Sequence, residues 1–286
     1  MANTLTARSK QAKARAMALR IIFTVLLGGL AFTMIIPFLW MISASMKHAL
    51  DVTAIPIKWI PDYFYPNNYK EVWNIGGNAK VDYHFALAYF NSLKIAVINV
   101  TGAALTSCLA GYAFAKIKFR GRDVVFLLYL STMIIPKFVI FDRLGMIGTH
   151  WTLILPGIFT ITGTFLMRQY FTQIPDEVRE SAKIDGASEF TIWRKIMLPM
   201  AKSSMAALAM MVFLWTWNNY LDALVFLPNW RLYTIPLALT SFIEESTTQY
   251  HLMMAAASSA IIPVVIVFII GNKQFVKGIT AGAVKG

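Results

Sequence analysis

Residues 21–42 read IIFTVLLGGLAFTMIIPFLWMI, and this apolar run of about 22 residues decides the fold class. A helix needs about 20 apolar residues to cross the hydrocarbon core of a bilayer. Because lipid offers no hydrogen bonds, every backbone amide of such a segment must be satisfied within the helix. A β-barrel is excluded, since its strands would alternate apolar and polar residues with a period of about two. The run also exceeds the apolar core of a signal peptide, about 7–15 residues, and therefore predicts an uncleaved first transmembrane helix.

The composition of the whole chain supports a membrane protein. Of its 286 residues, 57% are hydrophobic and 14% are charged, whereas a soluble domain has about 25% charged residues. The net charge of +12 does not indicate a nucleic-acid partner, because the basic residues lie in short segments between apolar runs, where they report membrane topology. The single cysteine, Cys108, excludes an intrachain disulfide and a thiolate metal cluster. His84 and His251 have no companion ligands in the sequence pattern, so no metal site is predicted.

The apolar segments predict an all-α, polytopic membrane protein with six transmembrane helices. The predicted spans cover residues 20–41, 85–115, 124–141, 151–170, 203–227 and 251–271. The segments on one side of these spans carry eighteen lysines and arginines, and those on the other side carry seven. The positive side faces the cytoplasm, which places both termini there. A membrane domain at 20–271 is thus flanked by cytoplasmic segments at 1–19 and 272–286.

The first external segment, residues 47–84, differs from the short loops between the other spans. It mixes prolines with aromatic residues, namely Pro56, Pro61, Pro66, Trp59, Tyr63, Phe64, Tyr65, Tyr69 and Trp73. Aromatic rings with a polar edge are stable at the membrane–water interface. A flexible linker would be richer in glycine and serine. We therefore expect an ordered cap at the outer face of the membrane.

The cytoplasmic loop at residues 171–202 contains the stretch QIPDEVRESAKIDGASEFTIWRKIMLP at 173–199. Pro175 followed by two acidic residues predicts the start of a helix, since acids suit the positive end of the helix dipole. Gly186 predicts the end of that helix, because glycine readily adopts the left-handed conformation required there. Ser188 predicts the cap of a second short helix. A helix–turn–helix between two spans is a candidate docking surface.

Within this loop, ESA at 180–182, three residues, Gly186, nine residues and IMLP at 196–199 resemble the EAA loop of ABC importer permeases. The resemblance implies a type I ABC importer permease fold, with a coupling helix that docks on a cytoplasmic ATPase. The residues that it assigns to ATPase coupling are Glu180, Ser181, Ala182, Asp185 and Gly186. Ser181 departs from the usual alanine, but serine is nearly as small. The alternative is that Ala182 and Gly186 only allow close packing of a loop helix.

Several further segments resemble the carbohydrate-uptake branch of that family, the maltose-type permeases. They read NSL at 91–93, GYAFAK at 111–116, LGMIGT at 144–149, WNNY at 217–220 and VKGITAGAVKG at 276–286. The C-terminal segment favours the smaller partner of a permease pair. The stretch 122–136 departs from the family, being shorter by about two helical turns, and leaves the start of the third span undetermined. The resemblance implies a carbohydrate substrate, first an oligosaccharide, with a monosaccharide or a glycerol-phosphate conjugate as the alternative.

The chain contains no G-x4-G-K-[ST] phosphate loop, so it is predicted to be non-catalytic and to hold no cofactor itself. The resemblance implies that ATP and Mg²⁺ are bound by two cytoplasmic P-loop ATPase subunits. It also implies a second, homologous permease subunit and an extracytoplasmic solute-binding protein. The assembly would lie in the lipid of the bacterial plasma membrane, and nucleotide binding would drive alternating access.

Polar and aromatic residues of the fifth predicted span are candidates for substrate binding. Trp217, Asn218 and Asn219 could hold a sugar through amide hydrogen bonds and ring packing. Alternatively, the asparagines join helices by hydrogen bonds and Trp217 is ordinary packing. An ion-coupled secondary transporter would need a carboxylate or a broken helix at the membrane midplane, and Asp222, the one candidate, lies near the outer end. That alternative and a membrane-embedded enzyme therefore have less support.

Overall fold

A computed structural model describes the chain at residues 2–75, 77, 84–243 and 249–283. Side chains are described at residues 16–75, 77, 84–133, 135–243 and 249–272. Every regular element in these ranges is a helix, as predicted. Parts of the predicted cap and of the C-terminal motif lie outside the described residues, namely 76, 78–83 and 284–286.

The α-helices, numbered in chain order, are α1 (Ala2–Ser45), α2 (Ala49–Val52), α3 (Asn67–Val72), α4 (Phe85–Lys116), α5 (Arg122–Ser131), α6 (Lys137–Arg143), α7 (Trp151–Ile158), α8 (Ile161–Thr172), α9 (Asp176–Ile184), α10 (Glu189–Ile192), α11 (Leu198–Met200), α12 (Lys202–Trp217), α13 (Leu221–Phe226), α14 (Ile235–Ala238) and α15 (Tyr250–Ala283). Short 3-10 helices occur at Thr132–Ile134, Trp230–Leu232 and Leu239–Phe242. A π-helical turn at Trp193–Met197 joins α10 to α11.

Four helical segments are long and apolar enough to cross a membrane, namely Ala16–Ser45, Phe85–Lys116, Trp151–Thr172 and Tyr250–Asn272. They coincide with the first, second, fourth and sixth predicted spans. A fifth is obtained if Glu189–Met200 and Lys202–Trp217, which are bent by 77° against each other, count as one span. The described part of the chain therefore contains four or five candidate spans, where the sequence predicted six.

The third predicted span, residues 124–141, is not one continuous helix. The chain forms α5, a 3-10 turn and α6, with a break at Ile135 and Pro136. Proline lacks an amide N–H and pushes the preceding residue out of the helical conformation, consistent with the ψ of 127° at Ile135. Because α5 and α6 have 10 and 7 residues, each is too short to cross the hydrocarbon core alone.

The fifth predicted span, residues 203–227, is interrupted as well. α12 ends before a pair of asparagines, and α13 begins after them. Asn218 Nδ2 donates to the Leu214 carbonyl at 2.8 Å, and Asn219 Oδ1 accepts from the Asp222 amide at 3.2 Å. Short polar side chains compete in this way with backbone hydrogen bonds. These local bonds stabilise a turn where further helix was expected.

The first and last helices continue past the predicted span boundaries. α1 has 44 residues and includes the segment that was expected as a cytoplasmic extension. α15 has 34 residues and continues into the expected tail. Residues 2–19 contain no proline or glycine to stop the helix, and their alanines, lysines and arginines favour it. The edge of the membrane depends on side-chain polarity, so it need not coincide with a helix end.

The chain divides into two compact units, Met1–Tyr69 with Gln249–Ser258, and Lys70–Thr248 with Ser259–Gly286. In the second unit α4 packs against α7, α8 and α12. A buried cluster that includes Tyr112, Phe171 and Trp193 extends from these helices into the loop with α9 and α10. The loop is therefore part of the core of this unit.

In the first unit, the start of the predicted cap folds back on the end of α1. Asn68 Nδ2 donates hydrogen bonds of 2.8 Å to the carbonyls of Ser45 and Lys47. The hydroxyl of Tyr69 lies 2.8 Å from the hydroxyl of Ser45. These bonds order residues that a flexible linker would leave in solvent.

Candidate functional site

The structure confirms the predicted helix–turn–helix, which we call the coupling loop and define as residues 173–200. α9 follows Pro175 and carries Asp176 and Glu177 in its first turn, where acids suit the helix dipole. It ends before Gly186, whose φ of +78° lies in the left-handed region that favours glycine. Ser188 caps α10, because its hydroxyl accepts a hydrogen bond of 3.3 Å from the amide three residues on.

The residues that the sequence assigned to coupling lie on two sides of this loop. Ala182 is buried in the cluster that also contains Tyr112 and Trp193. The other four are exposed, namely Glu180, Ser181, Asp185 and Gly186. Close to them, Ile184 is 87% exposed and Phe190 is 61% exposed. The loop thus has one buried contact through a small residue and an outer surface that combines acidic and apolar side chains.

α4 holds the coupling loop at the start of α9. The buried ammonium of Lys116 donates to Oδ1 of Asp176 at 2.6 Å and to the carbonyl of Ile174. The hydrogen bond and the charge of Lys116 lower the pKa of the Asp176 carboxyl. Because a buried ammonium is costly to leave unpaired, both contacts keep the start of α9 against the end of α4.

The carboxylate of Glu189 joins α4, α9 and α10. Its Oε2 accepts from the hydroxyl of Tyr112 at 2.6 Å and from Nε of Arg179 at 3.2 Å. Its Oε1 accepts from Nη2 of Arg179, and from the ammonium of Lys183 at 2.8 Å. The hydrogen bonds from Arg179 first, then those from Lys183 and Tyr112, lower the pKa of Glu189 to about 2.

Glu189 is not among the residues that the sequence pattern predicted for coupling or for substrate binding. Glu189 begins the segment Glu189–Met200, which is bent by 77° against α12. Because this segment also carries Arg194 and Lys195, we place Glu189 outside the membrane-spanning segments. A partial signal was present, because Arg179 and Lys183 are spaced i, i+4 and therefore share one face of α9. The spacing of these two cations does not show which carboxylate they bind, because that depends on how α10 packs against α9.

A cavity of about 160 Å³ opens in the second unit, beside the turn between α12 and α13. Its polar lining comprises Asn99, Lys137, Thr160, Thr216, Asn219 and Asp222. The ammonium of Lys137 lies 3.3 Å from the carboxylate of Asp222, and Asn219 Nδ2 donates to that carboxylate at 3.0 Å. Asp222, the one candidate carboxylate for an ion-coupled transporter, is therefore paired with the cation Lys137.

Asn99, which lines this cavity, also has a buried acceptor without a donor among the described residues. Its buried side chain donates through Nδ2 to the Leu153 carbonyl and to the Thr216 hydroxyl, both at 3.2 Å. Its Oδ1 has no hydrogen-bond partner among the described residues. Leaving a buried amide oxygen without a donor costs about 1–3 kcal/mol.

The three residues predicted to bind substrate occupy different environments. Asn219 lines the cavity. Asn218 is exposed and bonds to its own helix. Trp217 is buried, its indole N–H donates to the Ala260 carbonyl at 3.1 Å, and its ring stacks on Phe213 with centroids 5.4 Å apart. Of the three, Asn219 is the residue placed to meet a ligand in this cavity.

Within the residues that the structure describes, no group of three or more His, Cys, Asp or Glu side chains could hold a metal ion. The cavity presents instead amide groups, hydroxyls and one ion pair, all of which can bind a polar, uncharged solute by hydrogen bonds. The coupling loop presents an outer surface that suits a protein partner. The cavity and the coupling loop belong to the same unit, and α4 contributes residues to both.

The chain matches a known protein family over most of its length. Residues 13–281 match the family described as "Binding-protein-dependent transport system inner membrane component". The arabinooligosaccharides transport system permease protein AraQ of Halalkalibacterium halodurans is 31% identical over 274 residues, covering 93% of this chain and 96% of the relative. The galactooligosaccharides transport system permease protein GanQ of Bacillus subtilis is 33% identical over 279 residues, covering 94% and 96%.

A solved structure shares the fold. It is a bacterial ABC transporter involved in the import of the acidic polysaccharide alginate, and one of its chains matches with a TM-score of 0.78. The sequence identity is 25%, and the match covers 89% of this chain and 95% of the other. The likeness therefore extends over most of both chains.

Proposed function

The chain belongs to the family of binding-protein-dependent transport system inner membrane components, and we propose on this basis that it forms half of the translocation pathway of an ATP-driven importer for an oligosaccharide. It is a multi-pass protein of the inner membrane and a carbohydrate ABC importer permease. Like the other permeases of the family, it is a non-catalytic transport component, and ATP hydrolysis belongs to partner ATPases.

The proposed topology has six crossings and both termini in the cytoplasm. In it, α5 and α6 make the third crossing together, and α12 and α13 make the fifth. The broken helices support this assignment, since each pair amounts to about 20 residues, the length that a crossing requires. The excess of lysine and arginine on one side supports the orientation of the termini.

The proposed partners are a second permease subunit, two P-loop ATPase subunits that bind ATP and Mg²⁺, and an extracytoplasmic solute-binding protein. The outer surface of the coupling loop would dock on an ATPase, and the exposed Ile184 and Phe190 support this, because apolar side chains are favourable in the core of an interface. Glu180, Ser181, Asp185 and Gly186 lie on or beside that surface, and Ala182 fixes the loop from within.

The exposed apolar surface of α1 supports a contact of this helix with lipid or with the second permease. An 18-residue apolar window of the segment Ala16–Ser45 has none of its residues buried in the structure. Such a surface is stable only against lipid tails or another apolar helix. The first helix would therefore face the bilayer or the second permease subunit.

The proposed substrate site is the cavity, and the single observation that carries it is its lining, in which the amides of Asn99 and Asn219 lie with the hydroxyls of Thr160 and Thr216. A sugar supplies both hydroxyl donors and acceptors for these groups. The exposed ring of Trp215, which also lines the cavity, could pack against an apolar sugar face. Trp217 and Asn218 would act indirectly, by holding the turn that presents Asn219.

The test is purification of the tagged chain from its native membranes in mild detergent, followed by reconstitution into liposomes. We expect a second permease and a P-loop ATPase to copurify, and the liposomes to take up arabino- or galacto-oligosaccharides when ATP and the solute-binding protein are present. A matched control carries an ATPase whose phosphate-loop lysine is replaced, and it should show no uptake. Uptake by the chain alone, driven by an ion gradient without ATP, would contradict the proposal. Uptake of a glycerol-phosphate conjugate in preference to the sugars would replace the substrate class.

A further inference from the structure

α4 extends from the cavity to the coupling loop. Asn99, which lines the cavity, lies 13 residues before Tyr112 in this helix, a distance of about 20 Å at 1.5 Å per residue. Tyr112 and Lys116 then contact the coupling loop at its two helices, α10 and α9. A movement of the loop that carries these contacts with it would move the helix that forms one wall of the cavity.

The contact at Glu189 is built to hold these helices together. One carboxylate receives hydrogen bonds from Tyr112 on α4 and from Arg179 and Lys183 on α9. Charge-assisted bonds to arginine are about twice as strong as neutral ones and fix the geometry of both partners. The side chain of Arg179 is 15% exposed and that of Glu189 is 32% exposed, so solvent screens the ion pair only in part.

The contact at Lys116 secures the other end of the loop. Its ammonium bonds to Asp176 in the first turn of α9 and to the carbonyl of Ile174 just before it. Because both loop helices are tied to α4, the loop cannot shift along the membrane surface without either moving α4 or breaking these bonds.

We propose that Glu189 is a positioning residue which, through the hydroxyl of Tyr112, transmits movement of the coupling loop to α4 and so to the cavity. The inference rests on the proposed function, since it requires an ATPase that moves the loop. It assigns to Glu189 a role in coupling that is distinct from contact with the ATPase, because its carboxylate faces Tyr112, Arg179 and Lys183.

A purely structural role is the alternative, and the chain allows the two to be separated. The ring of Tyr112 packs in the buried cluster and meets Phe171 edge to face, with centroids 5.9 Å apart. The variant Tyr112→Phe keeps this packing and removes only the hydroxyl. A matched control is Tyr129→Phe, since the hydroxyl of Tyr129 bonds to Phe159 and Thr164, which both lie outside the coupling loop.

The experiment measures an ATP-dependent conformational change at the cavity of the complete importer. Cys108 is replaced by serine to remove the native thiol, and Trp215→Cys introduces a thiol at the cavity, at a position that is 53% exposed. A water-soluble maleimide is then used to compare the labelling rate of the purified complex with and without ATP. The variants are Tyr112→Phe, Glu189→Gln, their combination, and Tyr129→Phe.

We expect ATP to change the labelling rate in the reference complex and in Tyr129→Phe. In Tyr112→Phe and Glu189→Gln, the ATP-dependent change should shrink by about fivefold, the lower end of usual coupling between sites. The combination should be no worse than Glu189→Gln alone, because the contact that Tyr112→Phe removes is already weakened when residue 189 loses its charge.

A full ATP response in Tyr112→Phe, at normal recovery of the complex, would overturn the inference and leave the importer assignment intact. A reduced yield with a normal response per complex would assign Tyr112 and Glu189 to packing alone, and would overturn it too. If no ATPase copurifies with the reference chain, the proposed function fails and the inference fails with it.

Discussion

The hydroxyl of Tyr112 donates a hydrogen bond of 2.6 Å to the carboxylate of Glu189, although 77 residues separate them in the chain. One residue lies near the C-terminal end of the long helix α4, and the other begins the second helix of the coupling loop. The coupling loop is therefore bonded to the membrane helices at defined atoms.

The turn between α9 and α10 requires glycine for its backbone. At Gly186 a Cβ would meet no atom within 4 Å, so the limit is the φ of +78° and not space. We expect Gly186→Ala to cost about 1–2 kcal/mol locally and to reduce transport, and Gly186→Asp to abolish transport with the protein still in the membrane. Uptake and the amount in membranes are measured together. Gly121→Ala is the matched control, since its φ is +82° with equally free space, outside the coupling loop. Normal uptake in Gly186→Asp would remove this turn from the coupling assignment.

The buried contact of the coupling loop depends on a small residue. Ala182 is 8% exposed within the core cluster, so Ala182→Leu should overpack it by about 1–3 kcal/mol and lower ATP-driven uptake. Ser181→Leu places the same side chain on the exposed neighbour and should disturb the fold less. Thermal unfolding and uptake of both variants are compared. Equal thermal unfolding and equal uptake in the two variants would show that burial of Ala182 has no special part.

Two adjacent asparagines should differ in their effect on substrate. Asn219 lines the cavity, whereas Asn218 is exposed and bonds to its own helix. Loss of one hydrogen bond to the solute, about 0.5–1.5 kcal/mol, should raise the half-saturating solute concentration of Asn219→Ala by about 2- to 10-fold. Asn218→Ala should leave it near the wild-type value. The reverse order would move the site to the other asparagine.

Gly157 leaves the space that the side-chain amide of Asn99 occupies. A Cβ at Gly157 would lie 2.1 Å from Nδ2 of Asn99, so Gly157→Ala must displace that amide. We expect uptake to weaken about as much as in Asn99→Leu, since both changes disturb the same amide side chain, which lines the cavity. Gly102→Ala is the control, because its Cβ would instead meet Ile158 at 2.6 Å. If Gly102→Ala weakened uptake as strongly as Gly157→Ala, general loss of packing would be the cause.

The stability that the ion pair at Glu189 contributes should not change with pH over the neutral range. Its pKa in the folded protein is about 2, lowered from the ordinary 4.5 chiefly by the hydrogen bonds from Arg179. A carboxyl with a lowered pKa stabilises the fold above its ordinary pKa, and this contribution is lost as the pH falls towards the folded value. The difference in melting temperature between wild type and Glu189→Gln should thus be constant from about pH 5 to 8 and shrink below about pH 4.5. A difference that changed between pH 6 and 8 would contradict the assigned carboxylate.

The sequence by itself determined the class of protein, four of the membrane helices and the two helices of the coupling loop. These features depend on local properties, such as the length of an apolar run, a proline and two acids at a helix start, or a glycine past a helix end. The spacing from Glu180 to Pro199 likewise identified the loop without knowledge of its contacts. The third span was predicted wrongly as one helix for the same reason. The apolar segment 124–141 is long enough to cross a membrane, but its length does not reveal the break at Pro136.

The tertiary structure alone decided which polar groups meet. Trp217 and Asn219 are two residues apart, yet one is buried against Ala260 and the other lines the cavity, because the helix ends between them. Asp222 is paired with Lys137, 85 residues away, and the donors to Glu189 come from two other helices. A sequence pattern reports which face of a helix is apolar, but the partner of a buried polar group is set by how separate helices pack, since its hydrogen bonds must be found across the chain.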